Sequence, residues 1–207
     1  MLILSLATKT IDQVNSRCRA LIHLHNSRSA NCLQRSTAAI SMAYLATKSA
    51  VMDTVYNLAY AIDDLDRAAI VSLFRQDVPF AMDISAVLGV PGKEISADEY
   101  YQLARDGLGG FDATQHLLGC PLVTWSGASS AHVKVYVVAF HAMEKDGGLR
   151  SVTARVTWNF DLELHEGHWL IRKFVIGLAA PLDNPELMHE AHQRAGTGFV
   201  RSSKESR

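Results

Sequence analysis

Two histidines stand near the ends of two segments that are otherwise apolar. His116 lies near the start of the segment TQHLLGCPLVTW, and His141 lies 25 residues further along, near the end of AHVKVYVVAFHAME. An imidazole can take up and release a proton near neutral pH. If both side chains enter one apolar cavity, they predict an acid–base site.

The alternation of side chains along a strand predicts where each histidine points. His141 shares a face with small apolar residues, which are Ala131, Val133, Val135, Val137 and Ala139. His116 shares a face with Leu118, Cys120 and Leu122. The first of these faces is typical of a cavity wall.

A carboxylate is available for the same site. Asp63 follows directly on the apolar stripe of the first predicted helix. A carboxylate bonded to one ring nitrogen fixes the tautomer of a histidine and favours the imidazolium. The alternative interpretation of each residue alone is structural, because a histidine at a strand end is more often a satisfied core or rim residue. Asp63 and Asp64 are by themselves typical loop and cap residues.

The other candidate groups are better explained by structure. His132 is expected on the surface, and His165 and His168 flank a hairpin turn in the segment HEGH. The segment HEAH near the C-terminus is one residue short of the zinc motif HExxH, so it predicts no metal site. Cys120 has no evident activating partner, which favours a buried structural thiol.

Composition limits the classes of function. The chain has 207 residues, 48% of them hydrophobic, which is enough for the core of one ordinary domain. A formal net charge of −1 argues against binding to nucleic-acid phosphates. The three cysteines form neither a disulfide framework nor a metal-binding pair, so a reducing compartment is expected. No apolar run is long enough to predict a membrane span.

The first 48 residues differ from the rest of the chain. They are rich in basic and hydroxyl side chains and contain a single acid, Asp12. This composition is typical of a mitochondrial transit peptide, although a dispensable leader with translation starting at Met42, or a helix packed on the domain, would also fit. We therefore expect a leader over 1–48, a domain over 49–182 and a C-terminal helix with a tail over 183–207. The expected location is cytoplasmic, with a mitochondrial address as the alternative.

Helices are predicted first along the domain. Apolar residues recur at three- and four-residue spacing from position 49 to Ile62, and a second helix follows with Asp64 as its N-cap. The segment DVPFAMDISAVLGVPG predicts a strand and a turn. Ser96 and Glu99 form a capping box at the start of a further helix, which ends at the glycines of 107–110.

After position 110 the hydrophobic period changes to two. Strands are predicted over 115–125, 131–144, 150–164 and 168–179, joined by short turns into antiparallel hairpins. A short helix with Asn184 as its cap follows, and the last dozen residues are expected to be a frayed tail. Helices followed by a meander predict an α+β domain.

Several segments resemble one known family. YNLAYAIDDLDRAAIVSLF, DVPFAMD, TQHLLGCPLVTW, YVVAFHAME and EGHWLIRKF are similar to the SnoaL-like, scytalone dehydratase-like family of the nuclear transport factor two superfamily. The resemblance covers about residues 49–180. It implies a cone-shaped α+β barrel, with the N-terminal helices packed in the concave face of a strongly curved antiparallel sheet.

The resemblance also assigns site residues. It implies that His116 and His141 are the two histidines of the family, and that Asp63 is the aspartate that bonds the second one and orients it. Two family tyrosines fall at Ile62 and at or near Ile84, and an active-site asparagine falls at Trp158. The carbonyl-polarising half of the site is therefore lost or rebuilt. The candidates for substrate contact are Trp158, Tyr56, Tyr60, Tyr136, Ile62, Asp83 and Val137.

The resulting expectation is a dehydratase, or a related isomerase or cyclase, that needs no cofactor or metal. His116 and His141 would move protons on a small hydrophobic oxygenated metabolite, of the polyketide type found in secondary metabolism. We expect a small-molecule substrate, neither nucleic acid nor membrane as partners, and a homo-oligomer that is a dimer or trimer.

Two rival functions remain from the sequence. The same cavity could bind a ligand without chemistry, and an unpaired His141 would favour this. The domain could also serve to build an oligomer, which would need a broad apolar patch on the outer face of the sheet. A hydrogen bond between Asp63 and His141, with His116 across a closed cavity, would favour the enzyme.

Overall fold

A computed structural model describes residues 42–201 of the chain. Contacts between Cα atoms divide the chain into two units, Met1–Thr47 and Lys48–Arg207. The first unit contributes only residues 42–47 to the described part, and these are helical. The expectations for residues 1–41 lie outside the described residues. Every described residue from Lys48 onwards belongs to the second unit.

The longest helix, α1, covers 42–64 and so includes residues before position 49, where the apolar pattern begins. It buries the predicted apolar stripe, which consists of Val51, Met52, Val55, Leu58, Ala59 and Ile62. Helix α2, Arg67–Ser72, follows after a short turn. Its N-cap is Asp66, whose carboxylate accepts from the backbone N–H of Ala69, so the prediction of Asp64 as the cap is wrong.

Two short strands and two helices come next. Strand β1 is Phe80–Asp83, helix α3 is Ser85–Leu88, strand β2 is Lys93–Ile95 and helix α4 is Ala97–Leu108. The predicted capping box of α4 is confirmed, because Ser96 accepts from the backbone of Glu99 while Glu99 accepts from the backbone of Ser96. The capping box fixes where α4 begins, and α4 forms one wall of the cavity that His116 and His141 line.

Four long strands form the rest of the sheet. They are β3, Ala113–Trp125; β4, Ser130–Lys145; β5, Gly148–His165; and β6, His168–Ala180. The predicted antiparallel meander is confirmed, and the six strands form one curved, unclosed sheet in the order β2-β1-β6-β5-β4-β3. Strand β1 pairs parallel to β6, which the sequence pattern did not predict.

The register of β3 changes at a bulge between Gly119 and Leu122. Cys120 there has a φ of 52°, an unusual angle for a residue with a side chain. Beyond the bulge the side chains change face, so Leu122 is 60% exposed and Val123 packs on the core instead. Cys120 is exposed as well. The predictions that Leu122 shares the face of His116 and that Cys120 is buried are therefore wrong.

The C-terminal segment is part of the domain. Helix α5, Glu186–Gly196, packs on α4, and a side chain at Gly110 would collide with the backbone carbonyl of Ala191. Arg194 makes a two-pronged ion pair with Asp112, and its guanidinium lies 3.6 Å from the ring centre of Phe199. The residues after α5 are thus anchored as far as Arg201, so the expectation of a frayed tail fails for 197–201.

Aromatic side chains pack together in the hydrophobic core. Phe74 packs at a tilt against Phe80 at 4.3 Å, and Phe160 stacks against Phe174 at 4.4 Å, measured between ring centres. Such pairs add about 0.5–1.5 kcal/mol beyond the burial of their surface. Trp158 packs edge-on against Phe174 and is 2% exposed, so its indole has a fixed position. Within 42–201, no helix is long and apolar enough to cross a membrane.

Candidate active site

His116 and Asp63 form a buried pair at the free edge of the sheet. The Nδ1–H of His116 donates to Oδ1 of Asp63 over 2.7 Å, and the backbone N–H of His116 donates to Oδ2 over 2.9 Å. The two side chains are only 7% and 10% exposed. Because a carboxylate can only accept, it holds the proton of His116 on Nδ1 and leaves Nε2 with a free lone pair.

The partner of Asp63 differs from the one expected. The prediction that Asp63 orients His141 is wrong, since both carboxylate oxygens bond His116. Strand β3 is the outermost strand, so its edge can present the backbone N–H of His116 to the end of α1. His141 lies on β4, one strand further in, opposite Thr114. The carboxylate of Asp63, at the end of α1, therefore bonds His116 on β3 and not His141 on β4.

Burial and hydrogen bonding act in opposite directions on Asp63. Burial alone raises the pKa of its carboxyl, but the hydrogen bonds and the charge of His116, together with a bond from Thr114, hold the pKa below its usual value. Asp63 is therefore a carboxylate at physiological pH. A fixed negative charge beside Nδ1 stabilises the imidazolium that forms when Nε2 takes up a proton.

His141 is deeper in the fold and differs in its environment. It is 3% exposed, its ring stacks on Phe111 at 5.1 Å, and it lies 5.5 Å from the ring of His116. Its Nδ1 is buried and has no hydrogen-bond partner within the described residues. Burial, with the adjacent His116 and Arg201, lowers the pKa of His141 to about 3, although Asp63 opposes this shift. His141 is thus neutral near pH 7.

Both histidines line one cavity of about 200 Å³. Its walls come from the end of α1, from β1 and α3, from α4, from the concave face of the sheet and from the segment around α5. Apart from the Tyr100 phenol and the Trp158 indole, the rest of the lining is apolar, and the described residues that form it include no carboxylate, lysine or arginine. The arrangement that the sequence predicted, two imidazoles inside an apolar cavity with a carboxylate beside them, is present.

The structure brings only some of the other predicted residues to this cavity. Trp158 and Ile62 line it, and so does Ile84. Tyr56 and Tyr60 do not; they are 39% and 72% exposed and line a second groove, to which His116 and Asp63 also contribute.

The remaining candidates are placed elsewhere. The carboxylate of Asp83 accepts from the backbone of Ser85, Val137 is buried in the core, and Tyr136 is 57% exposed on the opposite face of its strand. None of the three lines the cavity. The polar groups proposed from the sequence as replacements for the family tyrosines therefore do not line the cavity that holds both histidines.

Sequence reasoning missed several residues of the cavity. Tyr100 and Leu103 on α4 line it, as do Leu182 and Met188 around α5. Burial raises the pKa of the Tyr100 phenol, which keeps the hydroxyl protonated. The capping box located α4 in the sequence, but no periodic signal indicated which of its residues would face the histidines.

Three further histidines of the described residues occupy structural positions. His132 pairs with Asp161 on the outer face, as the predicted surface location requires. His192 bonds the backbone carbonyl of Asp106, and His189 lies beside Gln193. Over the part of the chain that the structure describes, no three histidine, cysteine or carboxylate side chains form a group suited to a metal ion.

A larger cleft of about 980 Å³ lies between α1, the segment after α2 and the β5–β6 hairpin. It is lined mostly by polar surface side chains, among them Asp53, Asn57, Asp77, His165 and His168. Size alone does not define a reactive site, because groups that stay in contact with water keep ordinary reactivity. The smaller cavity is the candidate site, since both His116 and His141 line it and its other walls are largely apolar.

The chain shares its domain with a known protein family. The family model described as the SnoaL-like domain matches residues 43–175, which is well over half of the chain. The chain therefore belongs to the SnoaL-like domain family, and the resemblance found in its sequence is confirmed. None of the proteins with curated descriptions matches it.

Solved structures share the fold at low sequence identity. The Kfla4162 protein from Kribbella flavida is 17% identical with a TM-score of 0.62, over 69% of this chain and 96% of that one. A protein provisionally named a scytalone dehydratase, from Novosphingobium aromaticivorans, is 16% identical with a TM-score of 0.57, over 68% and 89%.

A third similar structure is a hexachlorocyclohexane dehydrochlorinase, LinA-type3, from Novosphingobium barchaimii. It is 12% identical with a TM-score of 0.56, over 68% of this chain and 91% of that one. At these identities the likeness shows the fold, while the chemistry has to be argued from the residues of this chain.

Proposed function

We propose that this protein is a cofactor-independent lyase that eliminates a leaving group β to an activated carbon–hydrogen bond, as a dehydratase does. The observation that carries the proposal is the buried His116–Asp63 pair, whose imidazole lines a largely apolar cavity. A buried base with a fixed tautomer is what proton abstraction from carbon requires. The same machinery serves an isomerase or cyclase, if the proton is returned to another atom.

The proposed reaction uses one histidine twice. Nε2 of His116 removes a proton from the carbon α to a carbonyl, and the electron pair of that bond moves into the carbonyl as an enolate. The enolate then re-forms the carbonyl and a carbon–carbon double bond while the β-hydroxyl departs, taking the proton from the His116 imidazolium. The products are an enone and water. Asp63 stabilises the imidazolium between the two steps.

His141 has a different role in this proposal. Its low pKa keeps it neutral, and its ring lines the cavity, so a ring N–H can donate to a substrate oxygen. A neutral imidazole that donates to a carbonyl oxygen stabilises the enolate without adding a charge to the cavity. Tyr100, protonated and on the lining, is a second donor of this kind.

The cavity restricts the substrate. Its lining offers no permanent charge, so a substrate carboxylate or phosphate would be desolvated without compensation. A volume of about 200 Å³ is below the range of about 300–1,000 Å³ that is typical of sites for drug-sized ligands. The substrate is therefore a small, neutral and largely apolar molecule with one or two oxygen atoms.

A non-catalytic binding module is the second candidate. Ile62 and Ile84 line the cavity, and the family resemblance places one tyrosine at Ile62 and another at or near Ile84, so polar groups are lost there. The unpaired Nδ1 of His141 also favours binding by the criterion set from the sequence. The buried pair favours the enzyme, because simple binding of an apolar ligand gains nothing from a desolvated carboxylate.

The deciding experiment uses β-hydroxycyclohexanone, a small neutral ketone whose dehydration gives cyclohexenone and a rise in ultraviolet absorbance. His116→Gln should lower kcat/KM by about 10²–10⁴-fold, the usual contribution of a general base. His132→Gln is the matched control, because it removes an imidazole with a carboxylate partner from the outer face. The control should match the unchanged protein.

A second probe reports the removal of a proton from carbon in a molecule that has no carbonyl group. The ring of nitrobenzisoxazole opens to a coloured cyanophenolate once a base has removed its carbon-bound proton, with the nitrogen–oxygen bond breaking. If neither probe is turned over while cyclohexenone quenches the fluorescence of Trp158, the cavity binds ligands without chemistry and the proposal of a lyase is wrong.

A further inference from the structure

Arg201 lies at the point where the elements that carry the buried pair meet. Its guanidinium donates four hydrogen bonds, three to backbone carbonyls and one to a hydroxyl. Nε donates to the carbonyl of Phe111 over 2.9 Å, and Nη2 donates to the carbonyl of Leu108 over 2.6 Å. Nη1 donates to the carbonyl of Asp63 over 2.7 Å and to Oγ1 of Thr114 over 3.1 Å. One side chain thus joins α1, α4, β3 and the loop between α4 and β3.

Two of the acceptors are helix ends. Asp63 lies in the last turn of α1, and Leu108 is the last residue of α4. Carbonyl groups in the last turn of a helix have no partner within the helix and carry the negative end of its dipole. The planar guanidinium, with five donors in a fixed geometry, can satisfy two such ends at once, which a lysine ammonium cannot do in the same way.

The same contacts reach the reactive pair. Arg201 bonds the backbone of Asp63, whose carboxylate bonds His116, and it bonds Thr114, which lies two residues before His116 on the same face of β3. The hydroxyl of Thr114 also lies 3.4 Å from the carbonyl of Asp63. Arg201 therefore holds both sides of the junction at which the carboxylate meets the imidazole.

We propose that Arg201 is a positioning residue, which holds the end of α1 against β3 so that the carboxylate of Asp63 stays on Nδ1 of His116. Its effect on turnover rests on the lyase function proposed above, whereas its effect on the His116–Asp63 bond does not. Arg201 lies 26 residues beyond the end of the SnoaL-like match at position 175, on a segment that the family model does not include.

The acceptors of Arg201 support a role in geometry. In the described part of the chain they are three backbone carbonyls and a hydroxyl, with no carboxylate among them. By contrast Arg194, on the same segment, pairs with the carboxylate of Asp112. Arg194 fastens the segment to the domain, and Arg201 extends from that segment to the junction of α1 and β3.

The test compares Arg201→Met with Arg194→Met in the full chain. The Nδ1–H proton of His116 gives a downfield resonance in the proton NMR spectrum when a carboxylate accepts it, and its assignment follows from its loss in His116→Gln. In Arg201→Met we expect this resonance to be lost or broadened by exchange. We also expect kcat/KM for nitrobenzisoxazole to fall about 10-fold to 10²-fold, which is typical of a misplaced base.

Arg194→Met should retain the resonance and the rate, even if its melting temperature falls. Equal losses in the two variants would overturn the proposal, because attachment of the segment would then be the whole effect. Retention of both signals in Arg201→Met would also overturn it. If Arg201→Met does not fold, Arg201→Lys decides: we expect a smaller loss of the resonance and the rate, and unchanged values would refute the proposal.

The two readouts separate this proposal from the function. If the unchanged protein shows the His116 resonance but does not turn over the probe, the lyase proposal is wrong. The NMR comparison of the two arginine variants then still decides whether Arg201 positions Asp63.

Discussion

Two histidine–carboxylate pairs of nearly equal length lie on opposite faces of the same sheet. His116 and Asp63 are 2.7 Å apart on the concave side, and His132 and Asp161 are 2.8 Å apart on the outer side. The side chains of the first pair are 7% and 10% exposed, whereas those of the second are 47% and 51% exposed. By distance alone the pairs cannot be distinguished.

The difference lies in what surrounds them and in what brings them together. His132 and Asp161 are direct neighbours across β4 and β5, so sheet pairing alone places them side by side in water. His116 and Asp63 are joined only because the end of α1 packs on the free edge of β3. Burial excludes competing water, and this turns an ordinary ion pair into a candidate base.

Neutralising each carboxylate in turn is the strongest test of the difference between the two pairs. Asp63→Asn should lower kcat/KM for nitrobenzisoxazole by about 10²–10⁴-fold, because Nδ1 of His116 loses the charge that stabilises its imidazolium. Asp161→Asn should leave the rate unchanged. Loss of activity in both variants would mean that the sheet as a whole, and not the buried pair, determines the rate.

The pairs should also differ in their contribution to stability. Asp63→Ala should lower the free energy of unfolding by about 3 kcal/mol, since it leaves buried donors of His116 without an acceptor. Asp161→Ala should lower it by no more than about 1 kcal/mol, as is usual for exposed pairs. Urea unfolding followed by tryptophan fluorescence measures both values, and equal losses would contradict the distinction.

The pH dependence of stability tests whether burial keeps His141 neutral in the folded protein. Burial lowers the pKa of His141 from 6.5 to about 3 in the folded protein. As the pH falls below 6.5, the unfolded chain binds a proton at His141 and the folded chain does not, so stability is lost between about pH 6.5 and pH 3. This group contributes a slope of at most about 1.4 kcal/mol per pH unit.

His141→Phe should remove that part of the slope, and the phenyl ring can keep the stacking on Phe111. Urea unfolding of both proteins at several pH values provides the measurement. Parallel curves for the variant and the unchanged protein between pH 6.5 and 4.5 would show that His141 is not held neutral by burial.

The smallest expected effect concerns salt. A double-mutant cycle on His132 and Asp161 should give a coupling energy below about 1 kcal/mol at low ionic strength, falling towards zero in about 1 M salt. The coupling between His116 and Asp63 should persist there, because salt screens buried charges much less. A buried pair that loses its coupling in salt would have to be open to solvent.

Much of the fold was readable from local patterns. The apolar stripe of α1, the capping box at Ser96 and the alternation along β4 and β5 each act within a few residues, so the sequence predicted the helices, the meander and the inward face of His141. The family resemblance added the fold, which is confirmed, and the prediction that the two histidines act together. The structure confirms that these histidines share one cavity.

The errors arose where distant segments meet. The pattern of β3 gave no warning of the bulge at Cys120, which moves Leu122 to the outside. Tyr56 and Tyr60 are close to Asp63 in sequence, but they line the exposed groove beside it and not the cavity that holds both histidines. The cavity residues of α4 and the contacts of Arg201 depend on packing between elements, which a single sequence does not encode locally.

The sequence by itself determined which residues could do chemistry and on which face of their own helix or strand they lie, because the helical and strand periods are properties of the local backbone. Only the tertiary structure decided that Asp63 bonds His116 rather than His141. That choice depends on which strand forms the edge of the sheet and how the end of α1 is fastened to it, and both follow from contacts between residues far apart in the chain.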